Sequence, residues 1–191
     1  MKVTKAQAQE NRAHIVQTAA ALFRERGYDG VGIAELMSAA GFTQGGFYKH
    51  FRSKADLMAE TAASGIAQRL ANDKHADLSA FVDSYLSRDH RDDRGAGCTM
   101  AALSGDAARQ GEDIRATFAQ GIENSLANFV DSEAGPQGAG QARETMLDTY
   151  ARVVGAVMLS RACPDDSALA EEILQVSRAR ILAALGTQQD G

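Results

Sequence analysis

The chain holds no tryptophan and only two prolines in 191 residues. Proline breaks helices, and the β-branched and aromatic residues that suit a pleated surface are too thinly spread here for a large sheet. Alanine is abundant, so the fold class expected is all-α. Cys98 and Cys163 stand too far apart in sequence for a disulfide scaffold or a four-ligand zinc site. His14, His50, His75 and His90 show no metal-ligand spacing, so neither metal nor cofactor is expected. No run of about 18 apolar residues is present, which excludes a membrane-spanning helix and a membrane partner. The segment Met1–Gln7 is basic but has no apolar stretch behind it, so it is not a secretory signal, and a cytoplasmic location is expected. With 45% hydrophobic and 24% charged residues the chain is of ordinary globular composition.

Charge is unevenly placed. Residues 1–54 carry Lys2, Lys5, Arg12, Arg24, Arg26, Lys49, Arg52 and Lys54 against Glu10, Glu25, Asp29 and Glu35, in a chain whose total is −5. A basic head thus precedes an acidic body, which points to a polyanion-facing module joined to one that avoids polyanions.

The head reads as helices. Ile15, Ala19, Leu22 and Phe23 recur at helical spacing between Lys5 and Arg26, and Gly27 stands where a helix C-terminus needs glycine. A second helix is predicted over Ile33–Ala40, ending at Gly41. Thr43 is placed to cap a third, Gln44 to about His50, with Phe47 and Phe51 as its anchors. Ser53 is placed to cap a fourth, opening Lys54-Ala55-Asp56-Leu57. Two short helices joined by a glycine-containing turn form the helix-turn-helix pattern.

At these residues the chain resembles the N-terminal domain of the TetR/AcrR family of bacterial transcriptional regulators. Ala19–Phe23 with Gly27-Tyr28 resembles that family's first-helix ending. Ile33-Ala34 with Ala39–Thr43 resembles its second helix and turn. Gly45–Phe51, followed by Lys54, Asp56 and Leu57, resembles its recognition helix and connecting helix. The resemblance covers about a quarter of the chain. It implies a three-helix DNA-binding domain over residues 1–53 and a helical ligand-binding and dimerisation domain over 54–191. It further implies a sequence-specific repressor that a small-molecule inducer releases from DNA.

A helix entering the major groove needs small residues where backbone nears DNA and polar groups aimed at base edges. Gly45 and Gly46 supply the closeness, loop glycines before a later helix start being the other reading. Gln44 suits a base edge, and the Thr43 and Tyr48 hydroxyls with the Lys49 and Lys54 ammoniums suit phosphate oxygens. His50 is a further phosphate candidate. The resemblance makes Tyr48 and Lys54 clamps on the DNA backbone. Where the family commonly has a hydroxyl residue opening the second helix, this chain has Gly32. Lys2, Lys5 and Arg12 read either as a solvated arm or as DNA contacts.

In the body, helices are expected near Leu78–Ser87, Cys98–Arg109, Asp113–Asp131, Gln141–Ala162 and Asp165–Leu185, with a polar loop over Asp89–Gly97 and a linker at Gly135–Gly140. Val153, Val157, Met158, Arg161, Ile173, Leu174 and Ile181 on the last two helices are the candidate homodimer interface, the pair that the resemblance assigns to dimerisation. Two heads related by a two-fold axis would read a pseudo-palindromic operator on double-stranded DNA. Candidate pocket residues are Leu86, Met100, Leu103, Phe118, Ile122, Phe129 and Tyr150.

Cys98 follows Gly95-Ala96-Gly97 at an expected helix start, where the positive end favours thiolate. A redox- or electrophile-reactive protein centred on Cys98 is therefore the alternative function. It lacks a paired histidine nearby, and Gly27–Gly32 fits no phosphate-binding glycine pattern, so an enzyme is not expected.

Overall fold

The computed structural model describes residues 4–73, 77–133 and 139–189. Among these residues the chain is all-α. In order come α1 (Lys5–Arg26), α2 (Ile33–Ala39), a 3-10 helix (Gln44–Lys49), α3 (Lys54–Asp73), α4 (Leu78–Tyr85), α5 (Arg88–Asp92), α6 (Thr99–Ala107), α7 (Glu112–Glu133), α8 (Ala139–Ala162) and α9 (Ala168–Gln189). The chain forms two compact units. One takes residues up to Ala67 with Arg94–Ala119, and the other takes Gln68–Asp93 with the residues from Gln120 onward. Lys2, His75 and most of the expected Gly135–Gly140 linker lie outside the described residues, although Ala139 and Gly140 already belong to α8.

In the first unit α1 begins where the Thr4 hydroxyl accepts the Gln7 N–H at 3.2 Å. It ends at Gly27, whose φ of +75° glycine adopts without a Cβ clash and whose N–H reaches the Phe23 carbonyl at 2.8 Å. Gly41, at φ +79°, makes the turn after α2. Ile15, Phe23, Leu36, Met37 and Phe47 are fully enclosed between α1, α2 and the 3-10 helix. Of the stripe read from Ile15 to Phe23, Ile15, Ala19 and Phe23 are thus buried and Leu22 is half-buried, and α1 packs on α2. Ser53 caps α3, its Oγ accepting the Asp56 N–H at 3.0 Å.

The same unit includes α6, which packs on α1. Asp106 accepts the Tyr28 N–H at 2.9 Å, and Arg24 donates from Nε to the Gly95 carbonyl at 2.7 Å. Burial, reinforced by the Asp106 carboxylate, pushes the Tyr28 phenol above its ordinary range. Three glycines sit at this joint. A Cβ on Gly27 would stand 2.6 Å from Asp106 Oδ2, one on Gly95 would stand 2.6 Å from Glu25 Oε1, and one on Gly65 would overlap the Thr99 hydroxyl.

In the second unit α8 and α9 lie along each other, and α4 packs on α9. A polar chain runs through this packing. Arg91, 2% exposed, donates from Nε to Ser160 Oγ at 2.9 Å and from NH2 to the Ser160 carbonyl at 3.2 Å. Ser160 Oγ in turn donates to the Ala170 carbonyl at 2.8 Å, joining α5, α8 and α9. The loop expected over Asp89–Gly97 is therefore partly helical. Ser87 Oγ accepts the His90 N–H at 3.2 Å and caps α5, and no glycine or proline interrupts the stretch from Ser87 to Arg94.

His90 packs its ring 4.4 Å from that of Tyr85, and its Nδ1 donates to the Tyr85 carbonyl at 2.7 Å. Burial lowers its pKa to about 4. The Arg69 and Arg161 cations add to the shift, while the Tyr85 carbonyl and Asp93 oppose it. Between pH 4 and 6.5 the unfolded chain therefore holds more protons than the folded one, and stability rises with pH. The contribution is complete above the unfolded value and is lost as pH falls toward the folded one. Urea midpoints taken from pH 7 to pH 4.5 should fall less steeply for His90→Gln than for the unaltered chain; equal slopes would show that His90 carries none of the acid sensitivity.

Candidate nucleic-acid interface

Short helices with two glycines are poor helix formers, and this one adopts 3-10 geometry, with Gly46 N–H to Thr43 O at 2.9 Å and His50 N–H to Phe47 O at 2.9 Å. Its pose is set by side chains instead. Phe47 is fully buried and lies 5.4 Å from the ring of Phe51, itself 2% exposed. Thr43 holds the position before the helix as read from sequence, but its hydroxyl makes no cap hydrogen bond.

With Phe47 turned inward, Thr43, Gln44, Gly45, Tyr48 and Lys49 are all exposed, and Tyr48 is 69% exposed. Gly46 is half-buried, and a Cβ there would meet Met37 Cε at an ordinary 3.6 Å. A Cβ on Gly45 would meet nothing within 4 Å, and neither glycine has a positive φ. The fold itself therefore requires glycine at neither position.

His50 and Lys54 are placed differently from the rest. The imidazole of His50 is half-buried between Phe42 and Phe51, at 6.4 and 6.2 Å. Lys54 Nζ donates to the Tyr28 carbonyl at 2.5 Å and stands 5.9 Å from the centre of the Phe23 ring. Its ammonium fastens α3 to the end of α1, which the motif reading did not disclose because the partner is a backbone atom 26 residues away. Gly32 is the residue before α2 and supplies no side-chain cap there.

The other candidates divide. Met100, Leu103 and Phe118 are buried in the first unit. Leu86 and Tyr150 are buried and Ile122 half-buried in the second, where the Ser125 hydroxyl stands 3.4 Å from that of Tyr150. The side chain of Phe129 lies outside the described residues. None of these lines the groove of about 540 Å³ in the first unit, which runs between Arg52–Ala59 and Gln110–Ile114.

On α8 and α9, Val153, Val157, Leu174 and Ile181 are enclosed within the chain's own core. Arg161 donates to the Arg91 and His90 carbonyls at 2.9 and 2.8 Å. These five side chains are thus occupied inside the protomer. Met158 is exposed and Ile173 half-buried, and they share the outer side with Leu147, Leu159, Leu169 and Val176. Both helices are apolar on two sides, so spacing alone could not separate the inner stripe from the outer. Cys98 precedes α6 as expected but is 4% exposed, and reaction with an oxidant requires access. Among the described residues no cluster of His, Cys, Asp or Glu could hold a metal ion, and no helix is long and apolar enough to cross a membrane.

Residues 15–61, which span α1, α2, the 3-10 helix and the start of α3, match the model for bacterial regulatory proteins of the tetR family. Over these residues, about a quarter of the chain, it is similar to the TetR/AcrR family. Among curated proteins, the HTH-type transcriptional regulator AcrR of Shigella flexneri is 44% identical over 57 residues, 30% of this chain and 26% of that protein. The HTH-type transcriptional repressor NemR of Escherichia coli is 27% identical over 128 residues, 62% of this chain and 64% of NemR. The matches thus span less than two thirds of either relative's length. The fold is shared more widely. A TetR transcriptional regulator from Chloroflexus aurantiacus superposes with a TM-score of 0.75 at 24% identity, over 95% of this chain and 96% of that one. The reduced form of E. coli NemR does so with a TM-score of 0.71 at 21% identity, over 90% and 95%.

Proposed function

We propose that this chain is a transcriptional regulator of the TetR/AcrR kind that reads double-stranded DNA with the segment Thr43–Lys49, acts as a homodimer on a pseudo-palindromic operator, and represses until a small molecule releases it. One observation carries the DNA reading: Gly45 is exposed with open space around it, beside a tyrosine 69% exposed and an exposed glutamine and lysine. Glycine costs about 1 kcal/mol against alanine in a helix interior. The chain's own packing gives no reason to bear that cost. A surface that must come close to the backbone from outside does, and the floor of a duplex groove is one. Tyr48 and Lys49 then face phosphate oxygens and Gln44 faces a base edge. The outer stripe with Leu147, Met158, Leu159, Leu169 and Val176 supports pairing of two copies through α8 and α9. The likeness of residues 15–61 to the TetR/AcrR family supports the inducer.

The test is selection of duplexes by the purified protein from a random pool, followed by salt titration on a selected and a random duplex. The selected duplex should carry two related half-sites and bind at least about 10³-fold more tightly than the random one, with steep salt dependence for both. Gly45→Ala should leave the melting temperature unchanged or slightly raised while weakening the selected duplex by about tenfold or more. Equal affinity of the unaltered chain for all duplexes rejects the regulator; undiminished binding by Gly45→Ala rejects the close approach.

A further inference from the structure

Arg12 lies on α1, before the stretch that the family model covers. The end of the 3-10 helix leaves backbone carbonyls without intrahelical donors, as every helix end does. One of them, the carbonyl of His50, receives Arg12 Nε at 3.4 Å. The same guanidinium is ion-paired through NH1 to Glu60 on α3. Its plane centre stands 4.7 Å from the centre of the Phe51 ring. Three elements thus meet on one side chain: α1, which supplies it, the trailing end of the 3-10 helix, and α3. A planar fork of five donors can hold a carbonyl and a carboxylate at once while resting on an aromatic face.

Resting on the proposed DNA reading, we infer that Arg12 is a positioning residue, which fixes the pose of the recognition segment from behind rather than binding phosphate. The need follows from the segment's weakness. A six-residue 3-10 helix with two glycines cannot hold its own orientation, and the burial of Phe47 and Phe51 fixes its depth better than its direction. Holding the carbonyl beside Phe51 sets that direction. A cation already neutralised by Glu60 is also poorly disposed to release counterions from DNA.

Two roles of a basic residue separate cleanly in salt titration. Losing a phosphate contact weakens every duplex alike and lowers the slope of log K against log salt by about 0.9 per contact. Losing a positioning residue weakens the selected duplex and leaves the slope and the random-duplex affinity nearly intact. Arg12→Gln should therefore weaken the selected duplex by about tenfold, the random duplex by less than about threefold, and keep the slope. Arg12→Lys preserves charge but not the fork, and should lose a comparable share of discrimination. In the Arg12→Gln background Glu60→Gln should add little further loss, as expected of coupled partners. Without DNA, the amides of His50 and Phe51 should exchange hydrogen faster in both Arg12 variants, a readout that does not depend on any operator. A lowered slope, full discrimination by Arg12→Lys, or tighter selected-duplex binding by Glu60→Gln would each overturn the assignment. If Arg12→Gln does not fold, Arg12→Lys and the exchange rates decide it. Failure of the unaltered chain to select any duplex would instead reject the DNA reading, with the exchange result still deciding what Arg12 holds.

Discussion

Phe47→Ala is expected to destabilise the first unit by about 3–5 kcal/mol and to abolish DNA binding, whereas Tyr48→Ala should weaken DNA binding with a stability change within about 0.5 kcal/mol. The two aromatic residues are adjacent, and the rings meet edge to face at 5.2 Å, yet one is fully enclosed and the other is 69% exposed. Removing Phe47 empties a site bounded by Phe51 and by α2, on which the 3-10 helix packs. Phe51 and the Arg12 contact to the His50 carbonyl hold only the trailing end of the glycine-rich segment. Because whole domains are stable by only about 5–15 kcal/mol, the loss should appear as a lower unfolding temperature and as exchange of the amides from Thr43 to Phe51 at near-unfolded rates. A Phe47→Ala chain that melts like the unaltered one would show that the recognition segment is not anchored by this ring.

Arg91→Leu should destabilise the second unit by on the order of 3 kcal/mol. The cost does not come from the ion pairs. Asp92 and Asp165 are 46% and 84% exposed, and water can take over their solvation once the cation is gone. It comes from the Ser160 carbonyl and hydroxyl at the end of α8, which Arg91 hydrogen-bonds where water is excluded. Thermal or urea denaturation of Arg91→Leu, with Asp165→Asn as the comparison, separates the two sources. The second variant should change stability by less than about 1 kcal/mol. Comparable losses in both would place the stabilisation in the ion pair instead.

The fold was legible where local signals agree. Gly27 and the uninterrupted stripe before it mark α1 as the sequence predicts, and Ser53 caps α3 as predicted, while the Thr4 cap carried no signal in the sequence reading. Gly41 marked the turn because it alone there must adopt positive φ. The exposed tip of the site was legible for a related reason. Phe47 and Phe51, four residues apart, had to face the core, which left Gln44, Gly45, Tyr48 and Lys49 outside. What escaped was whatever depends on a distant partner. Lys54 looks like a solvated or DNA-facing cation until its ammonium meets the Tyr28 carbonyl. Arg91, set in a run of charges, reads as surface although it is 2% exposed. Arg12 was open between solvent and phosphate because nothing local announces Glu60, 48 residues on. On α8 and α9 the obstacle was different: two apolar sides per helix offer two equally good inner stripes, and only packing against α4 and α5 chooses between them.

The three glycines at the joint between α1, α3 and the Gly95–Ala107 stretch bear on how much of this chain a graft must carry. A hybrid that borrows only the first seventy or so residues of this chain inherits Tyr28 without Asp106 and Arg24 without the Gly95 carbonyl. It also brings Gly65 against whatever side chain the host offers in place of Thr99. A transplant of this helical unit into another scaffold has to carry two separate stretches of sequence, or the graft will have lost the seat against which its own first helix is built.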